Sequence, residues 1–183
     1  MNTENRRNAP ARELAYVGLA VALITVCAWI SIPIGTIAVT LQTFAVCFIG
    51  AFLGWKRGIA AVAIYVFMGL IGIPVFSQFK AGAAAIFGAT GGYILGFFFL
   101  VLVPALLKCI PVRNKWARTC MLCAGMVAGI SVCYVFGTVW FMVVYECTFL
   151  HALSLCVVPY LIPDAVKLFL AAILAVRLER YIN

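Results

Sequence analysis

Pro159-Tyr-Leu-Ile-Pro-Asp164-Ala-Val-Lys167, running on into Leu168-Phe-Leu-Ala-Ala-Ile-Leu-Ala-Val176, decides the fold. Pro163 suits the first position of a helix, where its missing N–H costs nothing. The apolar helix it predicts ends on basic Arg177 and Arg180. Asp164 and Lys167, three residues apart, then share one face, one turn from each other. An acid and a base inside an apolar spanning helix are costly, so they point to binding or transport, each as the other's partner. The plainer alternative is an Asp favoured by the helix dipole, with Lys167 snorkelling to the interface.

Composition places that helix in a bilayer. Of 183 residues, 67% are hydrophobic and 10% charged, against roughly 25% charged in a soluble domain. Mean hydropathy is +1.18. We expect a single integral membrane domain over residues 1–183, with no soluble domain left once the spans are removed. The net charge of +8 does not imply nucleic acid, because the basic residues lie between hydrophobic runs rather than in one patch.

Residues 1–12 form a polar tail with Arg6, Arg7 and Arg12. The run Leu14 to Ile32 is longer than a signal-peptide core and is followed by further spans, which predicts a retained first helix. Ala11, Ala15, Gly18 and Ala22 put small residues on one of its faces, suited to close approach by a partner helix or by another span of this chain. Ser31-Ile-Pro-Ile-Gly-Thr36 breaks the helix. A second run from Thr40 to Gly54, about 15 residues, is short for a span, which needs about 17. The irregular backbone before it must be buried or line a cavity, with Thr40, Gln42 and Thr43 at the mouth. Lys56-Arg57 precedes a third span, Gly58 to Gly72. The stretch from Gly72 through Phe76-Ser-Gln-Phe-Lys80 to Gly91-Gly-Tyr93 is too glycine-rich for a span and too apolar for a solvated loop. Long ordered loops of this kind are usually lids or binding loops. Gly91 and Gly92 permit close backbone approach to a ligand, and Thr90 is a candidate N-cap for the fourth helix; both readings can hold together. The fourth span runs from about Gly92 to Leu107, the fifth from about Ala117 to Tyr145. Glu146 to Val158 connects to the sixth, with a short surface helix as one reading of it.

With the N-terminus inside, the inner segments hold eleven basic residues: Arg6, Arg7, Arg12, Lys56, Arg57, Lys108, Arg113, Lys115, Arg118, Arg177 and Arg180. The outer segments hold two, Lys80 and Lys167. The positive-inside rule then gives an all-α protein of six transmembrane helices, N-in and C-in, with the glycine-rich loop between helices 3 and 4 outside. The loop after span one and the Asp164/Lys167 pair fall on the same outer side, and together these segments describe a pocket open outward.

Other signals are weak. Cys120-Met-Leu-Cys123 has no companion pair and lies in a span, so neither metal nor redox chemistry is expected there. Cys147 and Cys156 both fall on the outer side, where a disulfide between them is open. His151, Ser154 and Asp164 form no known hydrolase pattern, so no catalytic residue is assigned. The sequence lacks the phosphate-binding G-x-x-x-x-G-K-[ST] pattern, so ATP-driven movement would need other subunits.

The order Thr40-Leu-Gln-Thr-Phe44, Lys56-Arg57-Gly58, Gly72-Ile-Pro-Val-Phe-Ser77, Gly88-Ala-Thr-Gly-Gly-Tyr93 and Pro159 to Lys167 resembles the biotin-specific S component of energy-coupling factor transporters. Ala89 and Pro163 stand where the family usually has proline and glycine. The resemblance implies a multi-pass plasma-membrane protein that binds biotin on the outer face. It implies partnership with a transmembrane coupling subunit and two cytoplasmic ATPase subunits, and no cofactor of its own. The implied ligand set is Asp164, Lys167, Gln42, Thr43, Phe76, Ser77, Gln78, Gly91, Gly92, Tyr93 and Tyr160, with Ser77, Gln78 or Lys80 as the loop's polar contact. Ala15, Gly18 and Ala22 would dock the partner. The chemistry fits: Asp164 can accept a ureido N–H, and Lys167 can donate to the ureido oxygen or meet the carboxylate. Tyr93, Phe76, Phe79 and Tyr160 can supply apolar walls. An S component for another vitamin, a self-contained carrier and an intramembrane enzyme are the rival classes.

Overall fold

The computed structural model describes residues 3–34, 37–108, 110–111 and 114–179. Arg113 and Arg180 of the charge pattern lie outside them. Helix α1, Thr3–Trp29, begins well before its apolar run and carries Pro10 within it, so the expected polar tail is helical from Thr3. The break that follows is not irregular. Ser31–Ile34 (β1) and Ile37–Thr40 (β2) pair antiparallel, Ser31 opposite Thr40 and Ile34 opposite Ile37. Pairing satisfies amides that hydrocarbon could not. Leu41 N–H, reaching the carbonyls of Cys27 and Ile30, ties the ribbon to the end of α1.

Helix α2, Gln42–Leu70, is bent back on itself at Gly54, whose φ of 80° and ψ of 177° are not helical. A side chain would be strained in that conformation. The reversal shows in the Gln42–Tyr65 hydrogen bond. A straight helix would hold those residues about 35 Å apart. Both arms lie on α4, Gly91–Lys108, close enough that a Cβ on Gly50 would come within 2.9 Å of the Val101 backbone.

The stretch after α2 is ordered by its own bonds. Val75 and Phe76 are buried, Ser77–Phe79 form a single 3-10 turn, and Ala83–Phe87 make the short helix α3. Trp29 Nε1 donates to Pro74 O at 2.9 Å and its ring stacks on Phe79. Trp140 Nε1 donates to Gly88 O at 3.1 Å.

Helix α5, Lys115–Tyr145, starts on Asn114, whose side chain accepts from Trp116 N–H, and ends at Glu146 in the left-handed region. Phe149–Cys156 form the connecting helix α6, and α7 runs Leu161–Glu179 after a 3-10 turn at Val158–Tyr160. Helix α7 thus begins two residues before Pro163, which still sits in the first turn, where no N–H is needed.

Among the described residues the architecture is all-α apart from the ribbon. Five helical stretches among the described residues are long and apolar enough to cross a membrane: Pro10–Trp29, Gln42–Leu70, Gly91–Lys108, Trp116–Tyr145 and Phe149–Leu178. The main core runs through them and includes Ile24, Ile49, Val62, Leu100 and Met126, and a smaller cluster of Phe141, Ala152 and Cys156 joins α5 to α6. At the end marked by Gly54, Arg57 pairs with Glu13 and Lys108 Nζ bonds Ala51 O at 2.6 Å, joining α1, α2 and α4. The polar cavity lies at the opposite end.

Candidate functional site

The cavity sits where β2, the first arm of α2, α4, α5 and α7 converge, with free space of about 670 Å³ including its open mouth. Its chemistry centres on Asp164. Oδ1 accepts from Lys167 Nζ at 2.7 Å and from Thr43 Oγ1 at 3.0 Å, while Oδ2 accepts from the Tyr134 hydroxyl. Asp164 is 4% exposed and Lys167 6%. Lys167 therefore turns inward to the acid and does not snorkel. A buried ion pair survives the loss of water only when its remaining capacity is also met. For Asp164 two hydroxyls from other elements do that.

Gln42 lies on the adjacent wall, bonded to Tyr65 and Thr40. Tyr160 donates its hydroxyl to the carbonyls of Ile34 and Ile37, pinning the ribbon's turn to the start of α7. Tyr93 hydroxyl meets Thr138 Oγ1 at 3.4 Å. Ile94, Phe97 and Ile130 make the remaining surface largely apolar. A mainly apolar pocket with a few convergent polar groups is the usual form of a small-molecule site.

Of the residues picked from sequence, Asp164, Lys167, Gln42, Thr43, Ser77, Tyr93 and Tyr160 line this cavity. Phe76, Gln78, Gly91 and Gly92 do not. Phe76 is driven edge-on against Tyr65, 5.4 Å between ring centres, and fills the space above Gly69. Gln78 is exposed in a left-handed turn, φ 58°. Gly91 and Gly92 are close-approach glycines, but what approaches is the protein: a Cβ on Gly91 would overlap Ile86 O, and one on Gly92 would come within 2.3 Å of Trp140 Cβ.

Sequence reasoning missed Tyr134 as a partner of Asp164. Its signal was available, since a tyrosine hydroxyl buried in a span must find a partner. Thr90 also lines the cavity, and its hydroxyl bonds Ala85 O. Ala15, Gly18 and Ala22 are all exposed on α1, with nothing in this chain within 4 Å of a Cβ on Gly18. Cys147 and Cys156 are free thiols, and Cys156 lines the cavity. Ser154 Oγ donates to the backbone carbonyl of His151, so no triad is assembled with Asp164. Among the described residues no group of three or more His, Cys, Asp or Glu side chains could hold a metal.

Known proteins share this chain's sequence over most of its length. The biotin transporter BioY of Thermotoga maritima is 41% identical over 169 residues, spanning 92% of this chain and 96% of that protein. The probable biotin transporter BioY of Pyrococcus horikoshii is 37% identical over 169 residues, spanning 92% and 97%. The fold matches a crystal structure of the S-component for biotin from an ECF-type ABC transporter, with TM-score 0.83 and 24% identity, covering 98% of this chain and 95% of that one. The profile of the BioY family matches residues 1–183, and the chain belongs to the BioY family.

Proposed function

We propose that this chain captures biotin at the outer face of the plasma membrane and delivers it inward as the substrate-specific subunit of an ATP-driven energy-coupling factor transporter. The observation that carries this reading is the Asp164–Lys167 pair, both buried, facing a mainly apolar cavity in a chain whose relatives are named biotin transporters. Biotin presents two ureido N–H donors, one ureido oxygen, an apolar thioether ring and a carboxylate. Asp164 accepts from a ureido N–H, Lys167 supplies a cationic donor, and Tyr93, Phe97 and Tyr160 flank the rings. Hydrogen bonds to charged groups contribute about 1.5–3 kcal/mol each.

In this reading the two arms of α2 each cross the bilayer, giving six crossings with both termini inside. The bend at Gly54, beside Lys56 and Arg57, then faces the cytoplasm, as the positive-inside rule requires. The cavity end faces out, and residues 74–90 lie over it as a lid. The α1 face of Ala15, Gly18 and Ala22 meets the transmembrane coupling subunit, and two ATPase subunits supply ATP hydrolysis. This chain performs no chemistry on its ligand.

The test is to purify the chain alone and titrate it with biotin, with riboflavin and thiamine as controls. Tight binding of biotin only is expected. Preference for another vitamin would keep the transporter class and overturn the ligand. Uptake by the chain without ATPase subunits would favour a self-contained carrier.

A further inference from the structure

Tyr65 lies on the second arm of α2, wholly buried behind the cavity wall, and its hydroxyl stands between Gln42 and the backbone of Val75. Proton counting fixes the arrangement. The Val75 carbonyl, 3.2 Å away, can only accept, so Tyr65 donates its single proton there and its oxygen is left as an acceptor. Gln42 must then turn an N–H toward Tyr65, which places Oε1 on the other side. There it accepts from the Thr40 hydroxyl at 3.1 Å, while Thr40 Oγ1 accepts the Gln42 backbone N–H at 3.3 Å. Tyr65 sets this orientation of the amide, and Thr40, whose hydroxyl can donate or accept, is compatible with it. With one N–H taken by Tyr65 and Oε1 engaged by Thr40, the amide's one remaining donor is its second N–H, beside the second lone pair of Oε1, on a residue that lines the cavity.

We infer that Tyr65 is a positioning residue that holds Gln42 as a hydrogen-bond donor to the ureido oxygen of the ligand. The inference rests on the biotin reading and adds the orientation of the ring. Thr43, next to Gln42, bonds Asp164, so the entrance of α2 brings a donor and the carboxylate acceptor to one wall. That pairing complements the adjacent C=O and N–H of a cyclic urea. Without the Tyr65 hydroxyl, the amide is free to rotate by half a turn and offer its oxygen instead.

The test compares ligands across variants. 2-Iminobiotin carries a protonated imino nitrogen in place of the ureido oxygen, so it donates where biotin accepts. Desthiobiotin keeps the urea and serves as the reference. Wild-type protein is measured first with all three. In Tyr65→Phe the preference for biotin over 2-iminobiotin should fall by about tenfold or more, the scale of one mismatched hydrogen bond, while the biotin-to-desthiobiotin ratio holds. If the three affinities fall together and both ratios hold, Tyr65 only supports the fold and the inference is overturned. Should Tyr65→Phe fail to fold, Gln42→Glu has the same shape and presents acceptors only. It should lower the same preference, and an unchanged preference there overturns the inference too. Wild-type protein that binds no biotin overturns the proposed function itself, before either variant is read.

Discussion

The seam between α4 and α5 and the outward face of α1 are built from the same small residues, yet only one of them is occupied. At the seam a Cβ on Gly92 would press on Trp140 and one on Gly96 would lie 2.6 Å from Cys133 Sγ. On α1, Gly18 meets nothing within 4 Å, and Ala15 and Ala22 are exposed beside it. Small residues mark a place where a backbone can come close. At the seam the approaching backbone belongs to the same chain, whereas on α1 it is left to another molecule or to lipid. The difference separates residues whose loss should damage the fold from residues whose loss should damage only assembly.

The largest effect should come from the seam. Gly92→Val forces a branched side chain into the Trp140 position and should destabilise the protein by about 3 kcal/mol, the upper range for overpacking. Thermal unfolding in detergent measures this, and an unchanged midpoint would mean that the seam yields as freely as α1. The cavity wall comes next. Asp164→Asn and Lys167→Ala should each weaken biotin binding by about 1.5–3 kcal/mol. Near-wild-type affinity in both folded variants would remove them from the site.

On α1 the expected change in stability and biotin affinity is small, within about 0.5 kcal/mol, as for an exposed substitution. Gly18→Trp or Ala22→Trp should nevertheless impair co-purification with the coupling subunit. Lost biotin binding with assembly intact would mean that α1 turns this face inward. The smallest signal is expected in residues 74–90, pinned at Pro74 by Trp29 and at Gly88 by Trp140, with α3 between the pins. A spin label at Ala84 should lose mobility when biotin is added. Equal mobility with and without ligand would make the loop a fixed wall.

Much of this arrangement is legible in the sequence because the bilayer penalises each polar group so heavily. Asp164, Lys167, Gln42 and Thr43 stand out as costly residues in apolar runs, and Gly54-Trp-Lys-Arg57 marks the bend of α2. Tyr65 and Tyr134 signal only that a buried hydroxyl needs a partner, and an apolar run does not say which partner that is. Gly91 and Gly92 show a need for close approach without naming what approaches. The β1–β2 ribbon is hidden for a different reason. Its strands are four residues each, and Ile-Pro-Ile-Gly between helices reads only as an interruption.

Biotin is proposed to lie between α2, α5 and α7 against Asp164, and a structure of the protein with biotin bound tests that placement. The predicted result is a ureido N–H at about 3 Å from the Asp164 carboxylate, with Lys167 and Gln42 donating to the same ligand. Biotin found instead outside this cavity, in the groove that Leu168 and Phe169 form with Met126 or beside Lys80 under the loop, would contradict the account.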